Sequence, residues 1–137
     1  MNLAEFAAAA RATATRAADS LALDCCKRMA DVALPILKDV TPVLTGALRD
    51  SERIDSVDGN GAFAVAFLQP HIIYAEFRNN GGIITAKRFR QLGNPEVGFF
   101  GKTVHQSGSH YIERAEADGR APCRAAAAQV AAFYFTL

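Results

Sequence analysis

The 137-residue chain carries 15 basic and 14 acidic side chains, a net charge of +1 that gives no global field to attract nucleic acid or an anionic membrane. Its length suits a single domain, residues 1–137, since domains hold about 100 to 200 residues. Half the residues are apolar but much of that half is alanine, so the expected core is thin and made by helices that approach closely.

Asn2 to Lys38 reads as one long amphipathic helix. Leu3, Phe6, Ala10, Thr13, Ala17, Leu21, Cys25, Met29, Val32 and Ile36 recur at steps of three or four residues and form one stripe. Asp24 with Arg28 and Lys27 with Asp31 stand at i,i+4 on the remaining surface. Such a helix spans roughly 55 Å, more than a small domain's width, so part of it should lean on something else. The alanine-rich half, Ala7 to Ala18, is the candidate for that contact; a cleaved transit peptide is disfavoured by Glu5 and Asp19. Pro35 is expected to kink or end the helix.

Residues 39–82 carry a turn, a hairpin and a short helix. Thr41-Pro42 sets an extended segment, Thr45-Gly46 a turn or cap, and Ala47 to Ser51 a helical turn or the entry to a strand. Arg49, Asp50, Glu52 and Arg53 read as a solvated charged edge. Strands at Arg53 to Val57 and Ala62 to Leu68 flank Asp58-Gly59-Asn60-Gly61, a doubled hairpin signal. In the second strand Phe63, Val65 and Phe67 alternate with alanines, leaving one face small enough for a helix to lie close. Pro70 stops the strand, His71 to Phe77 reads as a short helix, and Asn79 to Gly82 as a turn.

Residues 83–108 lose any period and form a loop or arm with four glycines. Ile83-Ile84-Thr85 and Lys102-Thr103-Val104 are candidate legs of an extended hairpin. Residues 109–137 are helical again, with Ser109 as N-cap, a break at Asp118-Gly119 and a second segment running from Pro122 to about Phe135. The fold class expected from these elements is α+β: a long N-terminal helix, a small antiparallel sheet with a hairpin and an extended arm, and a C-terminal helix packed on the sheet.

No residue set assembles a reaction centre. The three histidines His71, His105 and His110 lack the spacing and companions of a metal site, and no glycine-rich loop follows a strand in a phosphate-binding pattern. The three cysteines show no CxxC spacing and read as reduced and buried. Cys123 with His110 is the one conceivable nucleophile pair, and it has no orienting acid. Neither a catalytic residue nor a metal or cofactor is therefore assigned, and the chain is expected to be no enzyme. Phe99-Phe100, flanked by glycines, reads either as a pair buried in a partner or as part of a loop folded back on its own core, and Lys87, Arg88 and Arg90 as a solvated loop or a patch for an acidic neighbour rather than for a phosphate backbone. The tail from Ala125 to Leu137 is shorter than the roughly 18 residues of a membrane span, so no membrane partner is expected.

Thr41-Pro-Val-Leu-Thr-Gly-Ala-Leu-Arg-Asp-Ser51 resembles the proline, threonine-glycine, leucine-arginine-serine signature of the tailed-bacteriophage tail-completion or minor tail family. Tyr74-Ala-Glu-Phe followed by Asn80-Gly81-Gly82 is similar to that family's tyrosine-alanine helix and glycine turn, and Gly108 to Ala115 stands where its closing helix begins. The resemblance makes Pro42, Thr45, Gly46, Leu48, Arg49, Tyr74, Ala75, Gly81 and Gly82 structural. It implies a virion protein, assembled in the host cytoplasm into a ring of six or twelve copies at the head-tail neck, that joins the portal or connector to the tail tube protein. Ile83, Ile84, Phe99, Phe100, Phe6 and Ala10 are then candidate subunit contacts, and Lys87, Arg88 and Arg90 would face an acidic neighbour or DNA in the lumen. A head-side connector or stopper touching packaged DNA is the alternative.

Overall fold

The computed structural model describes residues 1–43, 46–72, 75–85, 90–91, 94–98 and 103–136. The protein is α+β, and its contacts divide into two compact units, Met1–Ile72 with Tyr111–Leu137, and Ile73–His110.

The first unit is built on α1, Leu3–Val40. Its start is fixed by a capping box: Glu5 N–H donates to the Asn2 side chain, and Asn2 N–H donates to the Glu5 carboxylate. Thr41 at −67°, 129° ends it, in the extended conformation that a following proline imposes. Pro35 neither ends nor divides the helix, contrary to expectation. The carbonyl it leaves without a donor belongs to Asp31, four residues back, and both residues are exposed, so water can take that carbonyl.

Helix α4, Tyr111–Tyr134, packs along α1. The expected break at Asp118-Gly119 is absent for the same reason, because Pro122 and Asp118 both face solvent while the opposite side rests on α1. Ala17, Ala30 and Ala126 are buried and let the helices come close. Ser109 is not the cap of α4. The helix starts two residues later, and the Ser109 hydroxyl donates to the Arg78 carbonyl within the second unit.

Between the helices come α2, Ala47–Ser51, and the antiparallel pair of β1, Arg53–Gly59, and β2, Ala64–Gln69. Gly46 precedes α2 at φ 84°, a left-handed conformation that side chains resist. The hairpin turn is built by Asn60, whose side chain accepts from the N–H groups of Ala62 and Phe63. The turn then lies against α1: a Cβ on Gly61 would come 2.0 Å from the Ala18 carbonyl oxygen, so no larger residue fits. Helix α1 contacts both strands; Ala64 and Ala66 are half-buried, while Phe63 and Phe67 remain exposed.

In the second unit α3, Ala75–Asn80, leads through Gly81 at φ 75° directly into β3, Gly81–Thr85. Of the expected His71 to Phe77 helix, Ala75 to Phe77 are helical and α3 runs on to Asn80, whereas His71 and Ile72 are not helical and residues 73 and 74 lie outside those described. β3 pairs antiparallel with β6, Thr103–Ser107, and Ile84 stands opposite Val104. The pair β4, Arg90–Gln91, and β5, Asn94–Gly98, is nested between them in sequence. The two expected legs of an arm are therefore paired strands. Arg78 and Asn79 carbonyls accept from Ser109 and His110 N–H, which ties the end of this unit to α3.

Candidate interaction surface

The bonds between α1 and α4 show how far the two helices run together. Arg114 donates to the Val40 carbonyl, Cys123 to that of Met29 and Cys25 to that of Ala127. At the far end Tyr134 gathers four bonds or contacts from α1. Its hydroxyl donates to Asp24 and lies 2.7 Å from Ser20 Oγ; Arg16 donates to its carbonyl and stacks over its ring. Asp24 thus serves Tyr134 rather than acting only as a surface partner for Arg28.

Two residues past Tyr134 the described part of the chain ends, while α1 continues back from Arg16 for 13 residues, Leu3 to Thr15, about 20 Å at 1.5 Å per residue. Phe135 lines an apolar recess with Ala10, Thr13 and Ala14. Beyond it Leu3 is 83% and Phe6 48% exposed, and Phe133 in the last turn of α4 and Phe135 just past it are exposed as well. The apolar stripe that buries α1 against α4 therefore runs on past the helix that it packs against. The expected contacts Phe6 and Ala10 both lie here, one turn apart. The sequence pattern alone put Leu3 with the core; its exposure follows from α4 being the shorter helix, which periodicity does not report.

The other expected contacts belong to the second unit. Ile83 and Ile84 lie on β3 and Arg90 on β4, by backbone placement. Phe99, Phe100, Lys87 and Arg88 lie outside the described residues, as do Thr45 and Tyr74. The signature residues are split between the units. Pro42, Gly46, Leu48 and Arg49 join α1 to β1, with Leu48 buried, whereas Ala75, buried, starts α3, and Gly81 and Gly82 stand where α3 passes into β3.

Two polar clusters lie on the first unit. On the hairpin, Asp55 accepts from Gln69, from His71 Nε2 at 2.5 Å and from Arg53, and these bonds hold its acid below the usual carboxylate range, Gln69 contributing most. Arg53 also meets His71 Nδ1 at 3.3 Å, so both imidazole nitrogens are engaged. Ser51 Oγ is near, but it receives the backbone N–H of His71, not the ring. This arrangement ties strand ends together and presents no free base to a nucleophile.

The second cluster lies where α1 ends and α4 begins. Glu52 is 1% exposed and Tyr111 fully buried, and Thr41 is buried with them. The expected solvated edge is thus wrong for Glu52, which turns inward as β1 begins, and Arg49 is half-buried. Burial pushes the Tyr111 hydroxyl up to about 12, with Glu52 adding to the effect.

All three cysteines are free, and burial pushes each thiol up, away from the thiolate that nucleophilic chemistry needs. Among the described residues no group of three His, Cys, Asp or Glu side chains is placed to hold a metal ion, and no helix is long and apolar enough to cross a membrane. No family model, curated protein or solved structure matches the chain.

Proposed function

We propose that this chain is a structural assembly subunit, a ring-forming protein of a tailed-phage head-tail neck whose overhanging helix end seats on the next copy. The observation that carries this reading is the continuation of the α1 apolar stripe, Leu3 and Phe6, past the end of α4. A head-to-tail ring contact uses one face of each subunit against a different face of the next, and such a contact would cover this surface. Exposed Phe63 and Phe67 on the outer side of the hairpin offer a second apolar face of the kind such a contact needs. The tail-completion signature adds the virion context.

Negative-stain microscopy of phage particles made without this protein, with purified chain returned to half the sample, tests the reading. Filled heads beside unattached tails, joined after addition, are the expected result. Tails of uncontrolled length would make it a terminator of tube growth. Normal infectious particles would overturn a neck role.

A further inference from the structure

Thr41 closes α1, and its hydroxyl lies 2.7 Å from the Leu37 carbonyl oxygen and 2.7 Å from Glu52 Oε1. Each separation is that of a full O–H···O bond, and a proton shared between two acceptors would lengthen both. A hydroxyl has one proton to give, and a carbonyl has none. If Thr41 gives its proton to Glu52, its oxygen and the Leu37 carbonyl meet as two acceptors. If it gives the proton to Leu37, the contact with Glu52 needs a proton from the carboxyl. Only the second arrangement, with Glu52 protonated, makes both contacts bonds.

We propose that Glu52 is a neutral carboxylic acid in the folded protein, donating to Thr41, which donates to Leu37, and that this proton makes the junction of α1, β1 and α4 a pH-dependent latch. The surroundings favour the neutral form. Glu52 is almost wholly buried, and its Oε2 has no hydrogen-bond partner among the described residues, so an ionised group would place charge on a buried oxygen that they leave unsatisfied. Burial pushes its acid above the ordinary value of 4.5, against the opposing pull of the Thr41 bond and of the Lys38 and Arg49 charges. Among the described residues the charged or titratable groups acting on it are Lys38 from α1, Arg49 from α2 and Tyr111 from α4. The Tyr111 hydroxyl has no hydrogen-bond partner among the described residues, and as a neutral phenol it offers Glu52 no counter-charge.

An acid that holds its proton more tightly folded than unfolded stabilises the fold below its ordinary range. That contribution falls as pH rises from about the unfolded value through the folded one. The latch is therefore closed in acid and loosens toward higher pH.

An NMR titration of the intact chain with isotope-labelled glutamate carboxyl carbons tests this, with the same chain unfolded in urea as reference. Glu52 is expected to keep its protonated chemical shift at pH values where the unfolded chain has lost it; titration at or below the unfolded value would overturn the proposal. Glu52→Gln supplies an amide N–H in place of the carboxyl proton. Its urea midpoint is expected to lose the decline with rising pH that the parent chain shows, and parallel profiles for the two proteins would also overturn it. Should the variant fail to fold, the titration of the parent chain still decides.

Discussion

At one end of the α1–α4 pair the chain buries Thr41, Glu52 and Tyr111 against one another; at the other it leaves Leu3, Phe6, Phe133 and Phe135 exposed. The first end is closed on itself: Thr41 bonds both the Leu37 carbonyl and Glu52, and all three side chains are buried. The second is apolar at its surface, and among the described residues Tyr134 fastens it through bonds to Arg16, Ser20 and Asp24. The difference separates residues that hold the subunit together from residues that it can present to others. Mutations at the two ends should accordingly fail in different assays.

The largest effect is expected at the closed end. Tyr111→Ala removes a fully buried aromatic and should cost about 3 to 5 kcal/mol in urea unfolding. A cost under about 1 kcal/mol would mean that this end is not where stability resides. Thr41→Val keeps the shape but leaves buried Glu52 without its hydroxyl partner, at about 1 to 3 kcal/mol by the same measurement.

Between the ends, Gly119 is buried in α4, yet an added Cβ would meet nothing within 4 Å. Gly119→Ala should therefore stabilise the chain by about 0.5 to 1 kcal/mol, seen as a raised urea midpoint, since the helix gains propensity without a clash. At the open end Phe6→Asp should change the stability of the subunit by no more than about 0.5 kcal/mol while shifting its mass in size-exclusion chromatography with light scattering toward the monomer. Lost stability with unchanged mass would erase the distinction between the ends.

The helices and hairpin were legible because their signals are local. A three-or-four-residue stripe, an Asn-Gly turn and alternating phenylalanine and alanine each act over a few residues; the elements follow them, but the hairpin turns two residues later than Asp58 to Gly61 suggests, because Asp58 and Gly59 pair with Val65 and Ala64. The Asn2-x-x-Glu5 capping box was not read from the sequence, where the stripe alone marked the helix, although its spacing carries the signal. Pro35 and Gly119 misled because a breaker's cost depends on which face of the helix it occupies and what packs opposite, and neither is written beside it in the chain. Glu52 misled most. It stands in a run of charged residues that reads as solvent-facing, and its burial arises only when the end of α1, the start of β1 and the first turn of α4 converge. The overhang was half legible: helix length called for a second support, but only the end of α4 at Tyr134 shows which residues need it.

The capping box at the tip of α1 has a bearing on how fast and how tightly that end can be met. Asn2 and Glu5 close the first turn with their own side chains, so the helix reaches its exposed tip already ordered. Fixing backbone costs about 1 to 2 kcal/mol per residue, and a tip that is folded beforehand spares a docking neighbour that expense. Even a contact of modest area there can hold, and it can form without waiting for a segment to fold upon arrival.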